Sequence, residues 1–276
     1  MRGQCMAGGA AIARSGSEDT LAQGSFVRAL RAEALKSRHG APVRLAIVLA
    51  LPFPLLAAFV ALSVPQFGLS YSPWNYWYAL LMPVSITLIA ATVANADARL
   101  GNHTLLSSGV PLHLAWGAKV AWCLALLLLS NLVVFAVYAV MSLVVPQGAA
   151  SMSAMLAVAL ALTVMGSWMI PATHFLTMRV GMLAGVFVPL AVQLALSLGW
   201  SVVPFWPACP PAATIVLPTA FLPVLPSGEP ASPGMALVES ISQGPDVALA
   251  LIVAAVLTAA LTAAGAVWLD RSEELR

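Results

Sequence analysis

The chain has 276 residues, 61% of them apolar and only 8% charged, with a mean hydropathy of +0.95. A soluble surface typically needs about a quarter charged residues, so this composition excludes an ordinary soluble domain and leaves an integral membrane protein. The net charge of +2 provides no broad basic field, and nucleic-acid binding has no support.

Residues 1–24 are small and polar, rich in Gly and Ala, with no apolar run of signal-peptide length, and read as a disordered tail. From Ser25 to about residue 44 the pattern predicts a short basic amphipathic helix. Phe26, Val27, Leu30 and Ala34 share one face, Arg28 and Lys36 lie opposite, Arg31 and Arg38 sit at the edges, and Ser25 is the expected N-cap. Such a helix lies along the inner leaflet, its cations against anionic lipid headgroups, and delivers the chain into the first crossing. The plainer reading is a juxtamembrane anchor with no mechanical role.

Six apolar stretches follow, at about 45–64, 76–95, 120–145, 152–175, 180–203 and 247–269, each near the ~20 residues that cross hydrocarbon. All 12 Lys and Arg residues fall in 1–44, 96–119, 176–179 and 270–276, the segments that alternate threading places on one side. Short basic loops resist translocation, so that side is the cytoplasm, and an even number of crossings puts both termini there. The exterior segments are then 65–75, 146–151 and 204–246, whose charges are Glu229, Glu239 and Asp246. Trp74, Trp77, Trp116, Trp122, Trp200, Trp206 and Trp268 sit near expected helix ends, where indole rings anchor at headgroup level. Trp168 alone lies away from an end.

Pro52 and Pro54 are expected to bend the first crossing, as a hinge or as a static kink. Gly181 and Gly185 form a small-xxx-small pair that permits close helix approach, a weak pointer to a subunit contact. The inner loop 96–119 carries Asp97, Arg99, Leu105, Leu106, Pro111, Trp116 and Lys119, and is long enough for a short helix reaching into the cytoplasm. The exterior segment 204–246 is proline-rich, and its apolar run 212–225 is too short to span. It reads as one or two helices lying in the outer interface or dipping partway in, capping a lateral opening or forming a lid without substrate contact.

Chemistry is sparse. No Gly-x-x-x-x-Gly-Lys-[Ser/Thr] loop occurs, so this chain is not expected to bind ATP in that way. The crossings contain no Asp, Glu, Lys or Arg, which argues against proton-coupled carriage and points to an energy source in another subunit. His39, His103, His113 and His174 lack metal-ligand spacing, and Cys5, Cys123 and Cys209 lie in different segments. No nucleophile elbow or His-Glu-x-x-His helix is present. Neither catalytic, cofactor nor metal residues are expected in the chain itself.

The basic entry helix, six crossings, long inner loop after the second crossing and interfacial segment before the sixth resemble type-2 ABC exporter permeases. Within that group, Trp74-Asn75-Tyr76-Trp77-Tyr78 leading to Leu81 and Pro83, then Leu105-Leu106-Ser107, Trp116-Gly117-Ala118-Lys119, and the run from Phe205 through Pro218 to Pro226 are similar to lantibiotic immunity permeases. The resemblance spans about residues 26–269. It implies two permease subunits, identical or related, and two cytoplasmic ABC ATPase subunits that bind ATP and Mg. It also implies a cationic amphipathic peptide as cargo, expelled from a bacterial plasma membrane for producer self-protection.

On that resemblance, Leu105, Leu106 and Leu112, with Trp116 and Lys119, form the ATPase-coupling loop. Phe26, Arg28, Leu30, Arg31, Lys36 and Arg38 form the interfacial helix, and Trp206, Glu229, Glu239 and Asp246 are candidate exterior cargo contacts. The alternatives are the same fold carrying a drug, lipid or polysaccharide, and a membrane scaffold or sensor that moves nothing.

Overall fold

The computed structural model describes residues 26–38, 40–98, 110–232, 234–243 and 245–273. The described residues are helical apart from turns and one isolated antiparallel bridge, Val224 to Pro230. The interfacial helix α1 covers residues 26–37, and a turn closed by Gly40 N–H on the Ser37 carbonyl at 3.0 Å leads into α2 (Ala41–Val48) and α3 (Pro52–Ser63). Next come α4 (Ser72–Tyr76), a π-helical turn at Trp77–Leu81, and α5 (Met82–Ala98). After them come α6 (Leu112–Val144), α7 (Met152–Gly166), α8 (Met169–Arg179) and α9 (Met182–Leu198). The chain closes with α10 (Pro210–Val216), α11 (Ala236–Gln243) and α12 (Asp246–Glu273).

Five helical stretches are long and apolar enough to cross a membrane: Ala41–Ser63, Ser72–Ala96, Leu112–Val144, Met152–Arg179 and Asp246–Arg271. They mark an all-helical, multi-pass membrane protein. The sixth expected stretch, 180–203, forms a helix of 17 residues, Met182–Leu198. It is shorter than the hydropathy pattern because Gly181, at φ 130°, holds a non-helical entry, and Gly199 passes the chain into a 3-10 turn at Trp200–Val202.

Prolines mark breaks in three of the long stretches, and side chains or a shifted register meet backbone carbonyls beside each break. Pro52 and Pro54 break the first stretch at residues 49–51, where the Ala50 N–H bonds to the Ile47 carbonyl at 3.2 Å and so leaves the Ala46 carbonyl. Ser130 of α6 donates to that Ala46 carbonyl at 2.8 Å. Pro83 has no N–H for the Ala79 carbonyl, and the preceding turn widens so that the Met82 N–H reaches back to Trp77. Pro171 likewise removes a donor beside the Ser167–Trp168 break between α7 and α8. There the Ser167 hydroxyl bonds the Val164 carbonyl at 2.7 Å and meets the Thr258 hydroxyl of α12 at 2.6 Å.

A polar relay crosses the core beside the π turn. The Trp77 indole donates to Asn131 Oδ1 at 3.1 Å, and Asn131 Nδ2 donates to the Thr163 hydroxyl at 3.1 Å. All three are buried. Such interhelical bonds supply part of the specificity that apolar packing between helices lacks in lipid.

Several expectations are corrected. Trp74, Trp77 and Trp116 are fully buried core residues rather than interfacial anchors, with Trp74 tilted against Tyr138 at 4.6 Å between ring centroids. Helix α6 starts at Leu112, eight residues before the expected 120, and at 33 residues it is about 50 Å long, well beyond the ~30 Å hydrocarbon layer. Its first turns therefore continue past the apolar zone. Gly185 makes a contact within the chain: a Cβ there would overlap the Thr177 hydroxyl and lie 2.9 Å from the Thr177 nitrogen and 3.0 Å from the Thr173 carbonyl. That close approach joins α9 to α8 and needs no second subunit.

Replacing Gly185 with Leu should therefore cost about 1–3 kcal/mol through overpacking against backbone atoms. Thermal unfolding of the purified chain in detergent measures it. An unchanged melting temperature would contradict the packing described.

Candidate functional site

One end of the bundle, where α1 meets α6, holds a buried charged cluster built from four helices. Helix α1 contributes Glu33, whose residue is 8% exposed, and α6 contributes Lys119, 3% exposed. Lys119 Nζ lies 3.0 Å from Glu33 Oε1, and Lys36 Nζ reaches the same oxygen at 3.0 Å. One carboxylate thus joins a surface cation to an interior one. Phe26 seals the near side, where a Cβ on Gly117 would meet its ring at 3.7 Å.

The cluster continues into α8 and α12. Trp116, one turn before Lys119, lies against Gly265 of α12 so closely that a Cβ there would overlap the indole. Its ring also meets His174 of α8 edge-on at 5.8 Å. His174 Nδ1 lies 2.9 Å from the Ile170 carbonyl and donates to it, which leaves Nε2 of the neutral ring facing the Cys123 thiol at 3.9 Å. Among the described residues no third metal-ligating side chain joins this Cys–His pair. At the surface, His113 Nδ1 and Asp270 Oδ2 are 3.6 Å apart, tying the start of α6 to the end of α12.

The opposite end is organised around Asn75. Its Nδ2 donates to the Tyr78 hydroxyl at 2.8 Å and lies 3.3 Å and 3.4 Å from the Leu225 and Pro226 carbonyls. This pins the returning exterior segment to α4. Tyr71 completes the clamp: its hydroxyl accepts from the Ala150 N–H at 2.7 Å, and burial raises the phenol above its ordinary pKa, an effect the Ala150 bond partly offsets. Gly68, at φ 68°, is required here, because a Cβ would lie 2.6 Å from the Gln147 carbonyl oxygen.

Beyond these anchors the segment 204–246 enters the bundle rather than resting on its surface, the second of the two arrangements expected for it. Every residue of α10 is buried. Ala213 and Leu217 pack with Ala161 and Met165 of α7 and with Ala250 and Ala254 of α12. Ala254 is roughly 12 Å below the start of α12 at 1.5 Å per residue. Gln193 of α9 donates to the Pro211 carbonyl at 3.4 Å, so backbone at this depth is enclosed by protein.

The sequence-predicted residues divide accordingly. Leu105 and Leu106 lie outside the described residues. Leu112, Trp116 and Lys119 are buried against their own chain, Leu112 beside Ala115, Val110 and Leu269, so they do not form an outward-facing coupling surface. Phe26 and Leu30 are half-buried on the bundle, while Arg28, Arg31, Lys36 and Arg38 are exposed. Of the exterior candidates, Trp206 packs against the α10 cluster. Glu229 lies on an exposed turn, Glu239 is exposed on α11, and Asp246 opens α12. These acids belong to three separate elements.

Sequence reasoning passed over Glu33, Asn75, Asn131 and Ser130. Signals were present: Glu33 is the sole acid between positions 26 and 38, and Ser130-Asn131 interrupts an otherwise apolar run. No protein-family model matches this chain, and no curated protein or solved structure matches it either.

Removing one partner of a buried ion pair typically costs about 3–5 kcal/mol. Glu33→Gln should therefore destabilise the chain by that order, and Lys119→Met by less, since Glu33 keeps its bond to Lys36. The double variant should lose less than the sum of the two, a coupling that a double-mutant cycle of melting temperatures reads directly. Strict additivity would mean the pair does not act as a unit.

Proposed function

We propose that this chain is the membrane-spanning permease subunit of an ATP-driven type-2 ABC exporter, with six crossings and both termini in the cytoplasm of a bacterial cell. In this reading the 17-residue α9 is the fifth crossing, since ~17–25 residues are enough to traverse hydrocarbon. The cargo is a lantibiotic-type cationic peptide, and the role is self-protection of the producing cell. ATP and Mg are held by partner ATPase subunits, and a second permease subunit, a copy or a relative, completes the complex.

The observation that supports this best is the mechanical continuity at the inner end. Helix α6 begins directly after the inner loop, and within its first turns Trp116 and Lys119 grip α12 and α1. A force applied to the loop by a cytoplasmic subunit would pass into three helices at once rather than being absorbed by a loose hinge. The buried positions of Leu112, Trp116 and Lys119 give them the role of transmitting that force, and leave contact with the ATPase to Leu105 and Leu106. The outer re-entrant segment, enclosed between α7, α9 and α12, would then form the exit-side barrier.

Substituting Leu105 and Leu106 with Asp should abolish co-purification of the ATPase and cargo-stimulated hydrolysis while the chain stays in the membrane fraction. Retained association would move the docking site elsewhere. Absence of any ATPase from the wild-type complex would contradict the exporter reading itself.

A further inference from the structure

Helix α1 has three distinct faces. Phe26, Leu30, Glu33 and Ser37 turn into the bundle, Glu33 and Ser37 fully. At 100° per residue, Val27, Arg31, Leu35 and Arg38 gather on one flank, and Arg28, Ala32 and Lys36 on the other. Val27 is 46% exposed and Leu35 69%, and both large exposed apolar side chains of α1 fall on the first flank. Amphipathic pattern alone would have turned Phe26 and Leu30 toward lipid. The structure gives those two residues to the protein, with α1 rotated by roughly 45° from the face its sequence favours.

The rotation follows from Glu33. Being bonded to Lys119, it brings its own side of α1 against α6, and the helix's one carboxylate is thereby removed from the outer faces. What remains on the first flank is two apolar side chains alternating with two guanidinium groups. That is the chemistry of the boundary between acyl chains and phosphate, where apolar side chains insert and cations stay with the headgroups. The second flank carries no large apolar side chain and suits water. A single turn separates α1 from α2, which starts the first membrane-length stretch, so α1 sits at the level of the inner headgroups.

We propose that the Val27–Arg31–Leu35–Arg38 flank is a docking surface for anionic phospholipid of the inner leaflet, and that the Glu33–Lys119 pair sets the rotation that presents it. This rests on the membrane embedding of the chain with α1 inside, and not on ATP-driven export.

The test uses the full chain with Cys5→Ser and Cys209→Ser. Single cysteines replace Leu35 or Ala32, carry an environment-sensitive fluorophore, and are reconstituted in vesicles containing nitroxide-labelled lipid. The vesicles are phosphatidylcholine alone or phosphatidylcholine mixed with phosphatidylglycerol. The position-35 probe should be quenched on the order of threefold more than the position-32 probe, with the difference largest in the anionic vesicles. Adding Arg31→Gln and Arg38→Gln should erase the dependence on phosphatidylglycerol. Equal quenching at the two positions, or equal quenching in the two lipid mixtures, would overturn the proposal. If the position-35 variant does not reconstitute, Val27→Cys gives the same comparison against position 32. No ATPase is present, so the result stands apart from any test of export.

Discussion

A polar backbone group left free where a helix breaks inside hydrocarbon finds no water, and it must be met from within the protein. That constraint organises this bundle. The Ala46 carbonyl is taken by Ser130, the gap before Pro83 is absorbed by a π turn, and the Ser167 break is tied to Thr258. Each solution fixes how a broken helix is seated, and two of them draw on a neighbouring helix. The breaks are therefore joints rather than loose points. A prolyl break that needs a partner on the next helix also records which helix is next.

The same logic applies where α1 meets α6, with charge in place of backbone. A buried lysine is tolerated because a carboxylate from α1 meets it. Through that contact a short surface helix acquires a defined rotation and becomes part of the bundle, together with α6, α8 and α12. Function, in the exporter reading, depends on this continuity. In that reading the end that holds Glu33 and Lys119 would move as one body, and the opposite end would be closed by the segment whose backbone is covered by α7, α9 and α12.

Much of this was legible in the sequence, and the reasons are physical. Apolar runs of membrane length and the prolines at 52 and 54 act locally, so the five long helical stretches and the break in the first could be read off directly. What could not be read was facing. Hydropathy does not separate an indole in headgroups from one in the core, and Trp74, Trp77 and Trp116 proved to be core. Likewise Leu112 to Lys119 read as loop because Pro111 and the lysine interrupt the apolar pattern, yet α6 extends through them once Glu33 neutralises Lys119 from 86 residues away. For residues 210–219 the sequence left two positions open, on the interface or partway in, because a short proline-rich helix can be buried only when longer ones surround it. Burial was equally hidden for Leu112, Trp116 and Lys119, which were expected to face outward from the loop and instead pack against their own chain.

The claim most exposed to test is that the 17-residue α9 traverses the membrane, since it sets the number of crossings and the side on which the re-entrant segment enters. Cysteines placed at Arg179 and Glu229, both exposed, in a chain lacking Cys5 and Cys209, can be probed with a membrane-impermeant maleimide on intact cells. The account predicts labelling of position 229 from outside and of position 179 only after permeabilisation. Labelling of both positions from the same side would contradict it.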